Sequence, residues 1–525
     1  MADLTPSQQS ILDQVDDCGV LWEGKQGPYH PSLSLDTWPV RQGVYDTIMQ
    51  NQKELTSLLL ALVDCPQFIE TTLADVIHDD PFLQKIHQAY QSSYAMRDSK
   101  EEAVLLRDDY LVDAQDGVPY EVEFNLVSVG LPGLSERTFK MAGSGTVPNH
   151  SLGETTTLLR ACHDTYCARK GVSANDATVV CLVLPNERNI YDQKDILTHP
   201  NLDGHTARIP FPSLASARVE ASPAGGLPDL YLEGCDTPVS TIYFRSGYHP
   251  DHYSDPAIWE GYALAAQSSC ILVPSPGMLL LNSKRVQQRL FACSLDPSLA
   301  DRDFFPAKAL EPLRAMAGTF APQHWLKETS ADVVGPALRD MDIITRRERG
   351  ETVETGDRVP IEYVLKPVSR EGGGHLLWGQ EVVDVLAALY PEVWRQMGHA
   401  DILEEDGERA RIELLCEDAG ALSKQVFVLM KVIQSKRVPL VLLPVHDKRQ
   451  SPDGPRPSPF HAQCTAEIGV YTGFLASHPS GPGGDRTLLS GPHHRGLLCR
   501  VKPLDVREAG ISLGTGALAA MRMVE

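Results

Sequence analysis

The chain has no run of about eighteen consecutive apolar residues, so no membrane span is expected. It also lacks a Walker loop, GxxxxGK[ST], which excludes the commonest lysine-and-glycine phosphate cradle. Its eleven cysteines are scattered, odd in number and never in CxxC spacing. The nearest approach to a metal motif, Cys162-His163 with Cys167, is too sparse for a zinc site. Free thiols in a reducing cytoplasm fit better. Basic charge is scarce as well: 47 Lys and Arg stand against 69 Asp and Glu, a net charge of −22. That argues against a nucleic-acid partner, which needs a basic surface, while leaving room for a local basic pocket. The first seventeen residues carry acidic side chains and no apolar core, so a signal peptide is not expected. No Ser-His-Asp or Cys-His arrangement points to covalent catalysis.

What remains is an ordinary globular composition, 42% hydrophobic and 22% charged. A length of 525 residues can bury several cores, and two to four lobes are expected. Residues from about 38 to 107 read as helices. Leu55, Leu58, Leu59, Leu60 and Leu62 recur at helical spacing, as do Ile69, Leu73, Val76 and Ile77. Residues 120–127 alternate polar and apolar, which predicts a strand with Glu121, Glu123 and Asn125 on one face. From about 177 to 282 the pattern becomes continuous apolar runs, Thr178–Leu184, Ser240–Phe244 and Cys270–Pro274. Polar residues follow the first two: Glu187, Arg188 and Asn189, then Arg245, Ser246, Gly247 and Tyr248. Buried strands with polar C-terminal ends predict a parallel α/β sheet whose ligands bind at those ends.

The most informative segment runs from Lys366 to Gly374. A strand-like Tyr363-Val364-Leu365 delivers Lys366, then Arg370, Glu371 and the three glycines Gly372, Gly373 and Gly374 follow. A cation for phosphate, a carboxylate for Mg²⁺ and a bare backbone able to close over phosphates suit a nucleoside triphosphate. The alternative at this point is a glycine-rich turn after an edge strand. A strand is also expected at Val426–Met430. Ser451–Pro459 and Ser477–Gly491, rich in Pro, Gly and Ser, read as loops. Strand-like Gly496–Lys502 leads into a second glycine-rich loop, Gly510–Ala517.

Taken in order, Val122–Asn125, Glu187–Gln193, Tyr243–Tyr248, Lys284–Gln288 and Leu365–Gly374 resemble eukaryotic glutathione synthetase, a family of ATP-grasp ligases. The resemblance runs from about residue 40 to the C-terminus. It implies an α/β ATP-grasp architecture with a parallel-sheet substrate-binding domain and a lid domain. The implied segments are 1–176 (N-terminal helical region and part of the core), 177–282 (parallel substrate-binding domain), 283–329 (core, helical), 330–460 (lid) and 461–525 (core strands and substrate loop). It implies an ATP-dependent ligase that joins γ-glutamylcysteine to glycine through an acyl phosphate, with Mg²⁺ as cofactor, as a cytoplasmic homodimer.

Residue by residue, the resemblance makes Glu123, Asn125 and Glu371 the magnesium ligands. Lys284, Lys366, Lys502 and Glu467 would contact ATP. So would the glycines Gly372–Gly374, Trp378 (where the family commonly has tyrosine), Met430, Lys431, Ile433 and Glu508. Arg107, Ser128, Glu187, Arg188, Asn189, Gln193, Arg245, Tyr248, Arg500, Ile511 and Ser512 would bind the other substrates. Arg107, Lys366 and Arg500 would stabilise developing charge. Guanidinium forks suit carboxylates, although Arg107 and Arg188 also fit structural ion pairs.

The chain departs from the family pattern in five places. Gly130 stands where a second serine is expected, with Pro132 two positions on. Met430-Lys431-Val432-Ile433 replaces Met-Glu-Lys-Ile. His375-Leu376 replaces a pair of asparagines. One extra residue lies between Lys366 and Glu371. The last loop reads Glu508-Ala509-Gly510-Ile511-Ser512 in place of Asp-Gly-Gly-Val-Ala. These changes fall around the substrate pockets and the adenine edge, so two alternatives stay open beside glutathione synthesis: a diverged ligase acting on another amine or peptide donor, and a non-catalytic nucleotide-binding homologue.

Overall fold

The computed structural model describes the chain apart from residues 1–3, 25–26, 303, 356–358, 369–375, 401, 405–406, 417–421, 446–456, 480–483, 509 and 512–513. The chain divides into two compact units: residues 1–64, 85–282 and 434–525 form the first, and residues 65–84 and 283–433 the second. Both are mixed α/β.

The first unit is built on a seven-stranded sheet. Its order is Val438–Leu443, Leu33–Ser34, Ala517–Ala519, Leu488–Pro503, Phe460–Ala476, Glu102–Val112, Pro119–Asn125. Val438–Leu443 also pairs with the start of Phe460–Ala476, which closes five of these strands into a ring. A second sheet is all parallel, in the order Ile271–Val273, Val239–Phe244, Thr178–Val183, Thr206–Pro210. These are the continuous apolar runs of the sequence. Val239–Phe244 is buried along its whole length, as expected of a strand covered on both faces. Helix Gln42–Val63 buries Leu55, Leu58, Leu59 and Leu62, the helical spacing read from the sequence.

The helical region is shorter at both ends than the sequence suggests. Trp38–Arg41 is a strand paired in parallel with Met521–Val524, and Glu102–Val112 is a central strand of the large sheet. The latter escapes the sequence reading because Arg107, Asp108 and Asp109 interrupt its apolar run, although eight of its first nine residues are buried. Leu488–Pro503 likewise begins inside the stretch read as a loop.

The second unit centres on a three-stranded antiparallel sheet, Gln323–Trp325, Phe427–Lys431, Tyr363–Pro367. Helices Ala331–Glu348 and Gln380–Leu389 cover it, packing Val334, Leu338, Val383 and Leu386 against Leu365 and Leu429. Among the described residues, no single helix is long and apolar enough to cross a membrane.

Candidate active site

Strand periodicity gathers one set of residues on the first unit's large sheet. Arg107 lies opposite Asn125, and Asp109 opposite Glu123. On the next strand, Glu467 faces Arg500. Alternation puts Arg107, Asp109, Asn125, Glu123, Glu467 and Arg500 on one face. Arg107 grips Asp109 as a fork, its Nε donating at 2.7 and 3.0 Å and its Nη2 at 2.7 Å. Asn125 Nδ2 donates to Asp109 at 3.2 Å and to Glu123 at 3.3 Å. Arg500 Nη2 donates to Glu467 and, at 3.3 Å, to Asp109. Burial works to lower the Arg107 value, but facing Asp109 outweighs it and holds it above the usual range. Arg500 is lowered, first by burial and then by the nearby Arg107 charge.

A second cluster lies at the C-terminal ends of the parallel strands. The buried Asp192 carboxylate accepts from the amides of Leu131 at 2.9 Å and Gly133 at 2.8 Å, from Asn189 Nδ2 at 3.3 Å and from Arg245 Nη1 at 2.9 Å. It thereby ties helix Ile190–Leu197 to the turn after Asn125. That turn holds two non-glycine residues in the left-handed region, Ser128 at φ 54° and Leu131 at φ 75°. Such conformations persist where the surroundings over-determine them. Here Ser128 N donates to Phe244 O at 3.1 Å, Ser128 Oγ to Arg245 O at 2.9 Å, and the Tyr471 hydroxyl to Gly130 O at 2.8 Å. Gly130 has a steric reason: a Cβ there would lie 2.7 Å from Arg245 Nη2 and 3.3 Å from Asn189 Nδ2.

Three polar atoms in this cluster are buried with no hydrogen-bond partner among the described residues: Asn189 Oδ1, Gln193 Nε2 and Arg245 Nε. Buried polar groups are rarely left unmatched, so a polar group from outside the chain, a ligand or a water, could complete the pairing here. Gln193 is held from its other end by Arg208, which donates to Oε1 at 2.8 Å. Glu187 accepts from Asn189 N at 3.0 Å. The Tyr248 phenol is pushed up by burial and then by the Glu187 carboxylate, which keeps it a hydrogen-bond donor. Arg188 turns elsewhere, donating to Glu23 O and to the Tyr29 hydroxyl of the N-terminal hairpin.

In the second unit, Lys366 lies opposite Val428, and Met430 opposite Val364, on the three-stranded sheet. Lys284 opens helix Lys284–Leu295, and Lys284 and Lys366 are both buried. Lys431 N donates to Pro322 O at 2.9 Å, and Val432 N to Glu362 O at 2.9 Å, so the backbone of Met430–Ile433 is fixed by its neighbours whatever side chains it carries. Trp378 N donates to Glu381 at 3.1 Å. Back in the first unit, Lys502 donates to Arg507 O, and Glu508 O accepts from Thr515 at 2.8 Å. Ile511 is buried in the unit's main core rather than exposed. Glu371, Gly372, Gly373, Gly374 and Ser512 lie outside the described residues.

For a hard divalent cation the donor set fits in kind. Glu123 supplies carboxylate oxygen, and Asn125, whose amide nitrogen is committed to two carboxylates, is left with its carbonyl oxygen for an ion. Among the described residues no three His, Cys, Asp or Glu side chains converge as a metal cage.

Sequence reading missed Asp109, Gly469 and Asp192. Asp192 sits inside the Glu187–Gln193 motif, and Asp109 stands two residues from Arg107 on the same strand face. Both become visible once the strand and helix are placed.

The family model described as eukaryotic glutathione synthase, ATP binding domain, matches residues 28–523. The chain is 26% identical to glutathione synthetase of Bos taurus, over 95% of this chain and 93% of that one. It is 25% identical to the Homo sapiens protein, over 89% and 84%. It is 24% identical to the chloroplastic enzyme of Arabidopsis thaliana, over 87% and 72%. Among solved structures, a glutathione synthetase-like effector from Globodera pallida in its apo form shares the fold. Its TM-score is 0.61 at 13% identity, over 99% of this chain and 96% of that one. With the match running through nearly its whole length, the chain belongs to the eukaryotic glutathione synthase family and is an ATP-dependent carbon–nitrogen ligase.

Proposed function

We propose that the protein joins γ-glutamylcysteine to glycine, with cleavage of ATP, by way of an acyl phosphate. The observation that carries this reading is the set of unmatched buried atoms, Asn189 Oδ1, Gln193 Nε2 and Arg245 Nε, beside a donor phenol, Tyr248. An amino-acid-like end has both donors and acceptors, and this set offers both. Arg245 suits its carboxylate and Glu187 its ammonium. Ser128 lines the same turn.

In the reaction, a carboxylate oxygen of the donor peptide bonds to the γ-phosphorus of ATP and ADP departs. The amine nitrogen of glycine then attacks the acyl carbon, phosphate leaves, and the amine gives up a proton to solvent. Arg107 and Arg500 sit on one sheet face with their charges intact, where they would balance the negative charge that builds on the transferring group. Lys366, Lys284 and Lys502 would hold nucleotide phosphates, and Glu467 the nucleotide. Trp378, the Met430–Ile433 backbone and Glu508 would frame its remaining edges. Glu123, Asn125 and Glu371 would hold Mg²⁺, which when bound neutralises phosphate charge. Gly372–Gly374 would close over the phosphates, and the loop carrying Ile511 and Ser512 would seat the incoming amine. Homodimer assembly and a cytoplasmic setting complete the reading, the latter in keeping with eleven free thiols.

A second reading, ligation of a different amine or donor peptide, is favoured by one observation: Gly130 lets Arg245 occupy space that the family's serine side chain would fill. Purified protein given ATP, Mg²⁺, γ-glutamylcysteine and glycine tests the first reading. Glutathione formed in step with phosphate release supports it. Phosphate release only with another amine or another carboxylate donor moves the assignment to the second.

A further inference from the structure

Arg107 and Arg500 do not stand on neighbouring strands. Strand Phe460–Ala476 runs between theirs, and at the level of Asp109 it presents Gly469, which lies opposite both Asp109 and Leu498. A Cβ on Gly469 would come within 2.7 Å of Asp109 Oδ1 and 2.9 Å of Arg107 Cδ. The missing side chain therefore opens a gap through which the Asp109 carboxylate reaches over a whole strand. Its side chain is fully buried. It accepts from the Arg107 fork at 2.7–3.0 Å, from Arg500 Nη2 at 3.3 Å and from Asn125 Nδ2 at 3.2 Å.

Three consequences follow from that one carboxylate. It places a negative charge against two part-buried arginines that otherwise repel in a poorly screened setting. It fixes the plane of the Arg107 guanidinium, since a fork contact to a carboxylate allows one orientation. It also fixes which end of the Asn125 amide faces inward: with Nδ2 donating to Asp109 and Glu123, the carbonyl oxygen points the other way.

We propose that Asp109, seated over the bare backbone of Gly469, is the positioning residue of this site. It sets the two arginines and the amide of Asn125 in one arrangement while touching no substrate itself. The proposal rests on the functional reading above for the roles of Arg107, Arg500 and Asn125.

Two variants of the full chain test it. Asp109→Asn keeps shape but removes the charge and turns one acceptor into a donor. Gly469→Ala leaves every charged group in place and pushes Asp109 aside. Two readouts are taken: turnover with γ-glutamylcysteine and glycine, and calorimetric binding of a non-hydrolysable ATP analogue across a Mg²⁺ series. Both variants are expected to lower kcat by about 10–100-fold, as mutation of a group that orients metal ligands does. Both are also expected to raise the Mg²⁺ concentration needed for half-maximal analogue binding. A purely structural role would lower the unfolding midpoint but leave the folded fraction with wild-type kcat and Mg²⁺ dependence, and that result overturns the proposal. So do values within about twofold of wild type in both variants, or loss of the fold in both. If only Asp109→Asn fails to fold, Gly469→Ala decides. If the wild type forms no glutathione, the functional reading fails, and the Mg²⁺ series with the analogue still reads Asp109.

Discussion

Replacing Asp192 with alanine isolates the other hub of the first unit. The carboxylate is fully buried and answers four N–H groups: the amides of Leu131 and Gly133, Asn189 Nδ2 and Arg245 Nη1. Its loss strands a guanidinium whose side chain is 3% exposed. Breaking a buried pair by removing one partner costs about 3–5 kcal/mol, because the remaining charge stays buried. Two amides of a turn already holding Ser128 and Leu131 at positive φ lose their acceptor as well, so the upper end of that range is expected. Denaturant unfolding, followed by a probe in the first unit, measures the loss. The double variant Asp192→Asn with Arg245→Met removes both charges. It is expected to cost about 1–3 kcal/mol less than the sum of the singles, since contacting residues are not additive. A loss under about 1 kcal/mol for Asp192→Ala, or strict additivity in the double variant, would refute the reasoning.

Other outcomes follow from the same geometry. Gly130→Ser would press a Cβ onto Arg245 Nη2, and steady-state kinetics should show KM for the donor peptide rising by about 10-fold with KM for ATP unchanged. Arg500→Ala is expected to weaken use of the peptide substrate much more than ATP binding; an equal loss in both, by kinetics and calorimetry, would make it structural. Glu102 is buried, with Oε1 unmatched among the described residues, beside Asp64, Lys100, Ser275 and Arg486, and burial raises its value from 4.5 to about 7. The folded state therefore holds its proton more tightly than the unfolded chain. The resulting stability, about 3 kcal/mol, is full below the unfolded value and is lost as pH rises through 7. Thermal unfolding of Glu102→Gln should show that pH-dependent loss flattened between pH 5 and 8, and an unchanged slope would contradict it.

The parallel strands were legible because burial on both faces leaves an unbroken apolar run, and Pro119–Asn125 because its sequence alternates. The expected face of Pro119–Asn125 is corrected, however: the pairing shifts register between Asp109 and Tyr110, so buried Glu121 faces with Tyr110 and only Glu123 and Asn125 share the face of Asp109. Glu102–Val112 was not legible. It too is buried on both faces, but it carries Arg107, Asp108 and Asp109 in its middle, which reads as surface. Those charges are tolerated because partners far apart in sequence answer them: Gln52 Nε2 donates to Asp108 at 2.8 Å, while Asn125 and Arg500 reach Asp109. Leu488–Pro503 was obscured for a different reason. Gly491 at φ 90° lies where its pairing with Phe460–Ala476 shifts register, so glycine there marks an irregular strand rather than a loop. Of the residues named from family motifs, Arg107, Glu123, Asn125, Glu467 and Arg500 share one face of the large sheet, and Asn189 and Arg245 meet at Asp192, while Arg188 turns to the N-terminal hairpin and Ile511 to the core. Asp109 and Gly469 carry no motif of their own, and only the pairing of strands reveals what they touch; Asp192 lies inside the Glu187–Gln193 motif, but its partners appear only once helix Ile190–Leu197 is placed.

The central claim is that this chain is a ligase making glutathione. The measurement that tests it most directly is mass-resolved product formation by the purified protein with ATP, Mg²⁺, γ-glutamylcysteine and a panel of amines, followed alongside phosphate release. The account predicts glutathione as the preferred product, one phosphate released per peptide bond. Phosphate release that yields no glutathione, or ATP binding with no turnover on any amine, would contradict it.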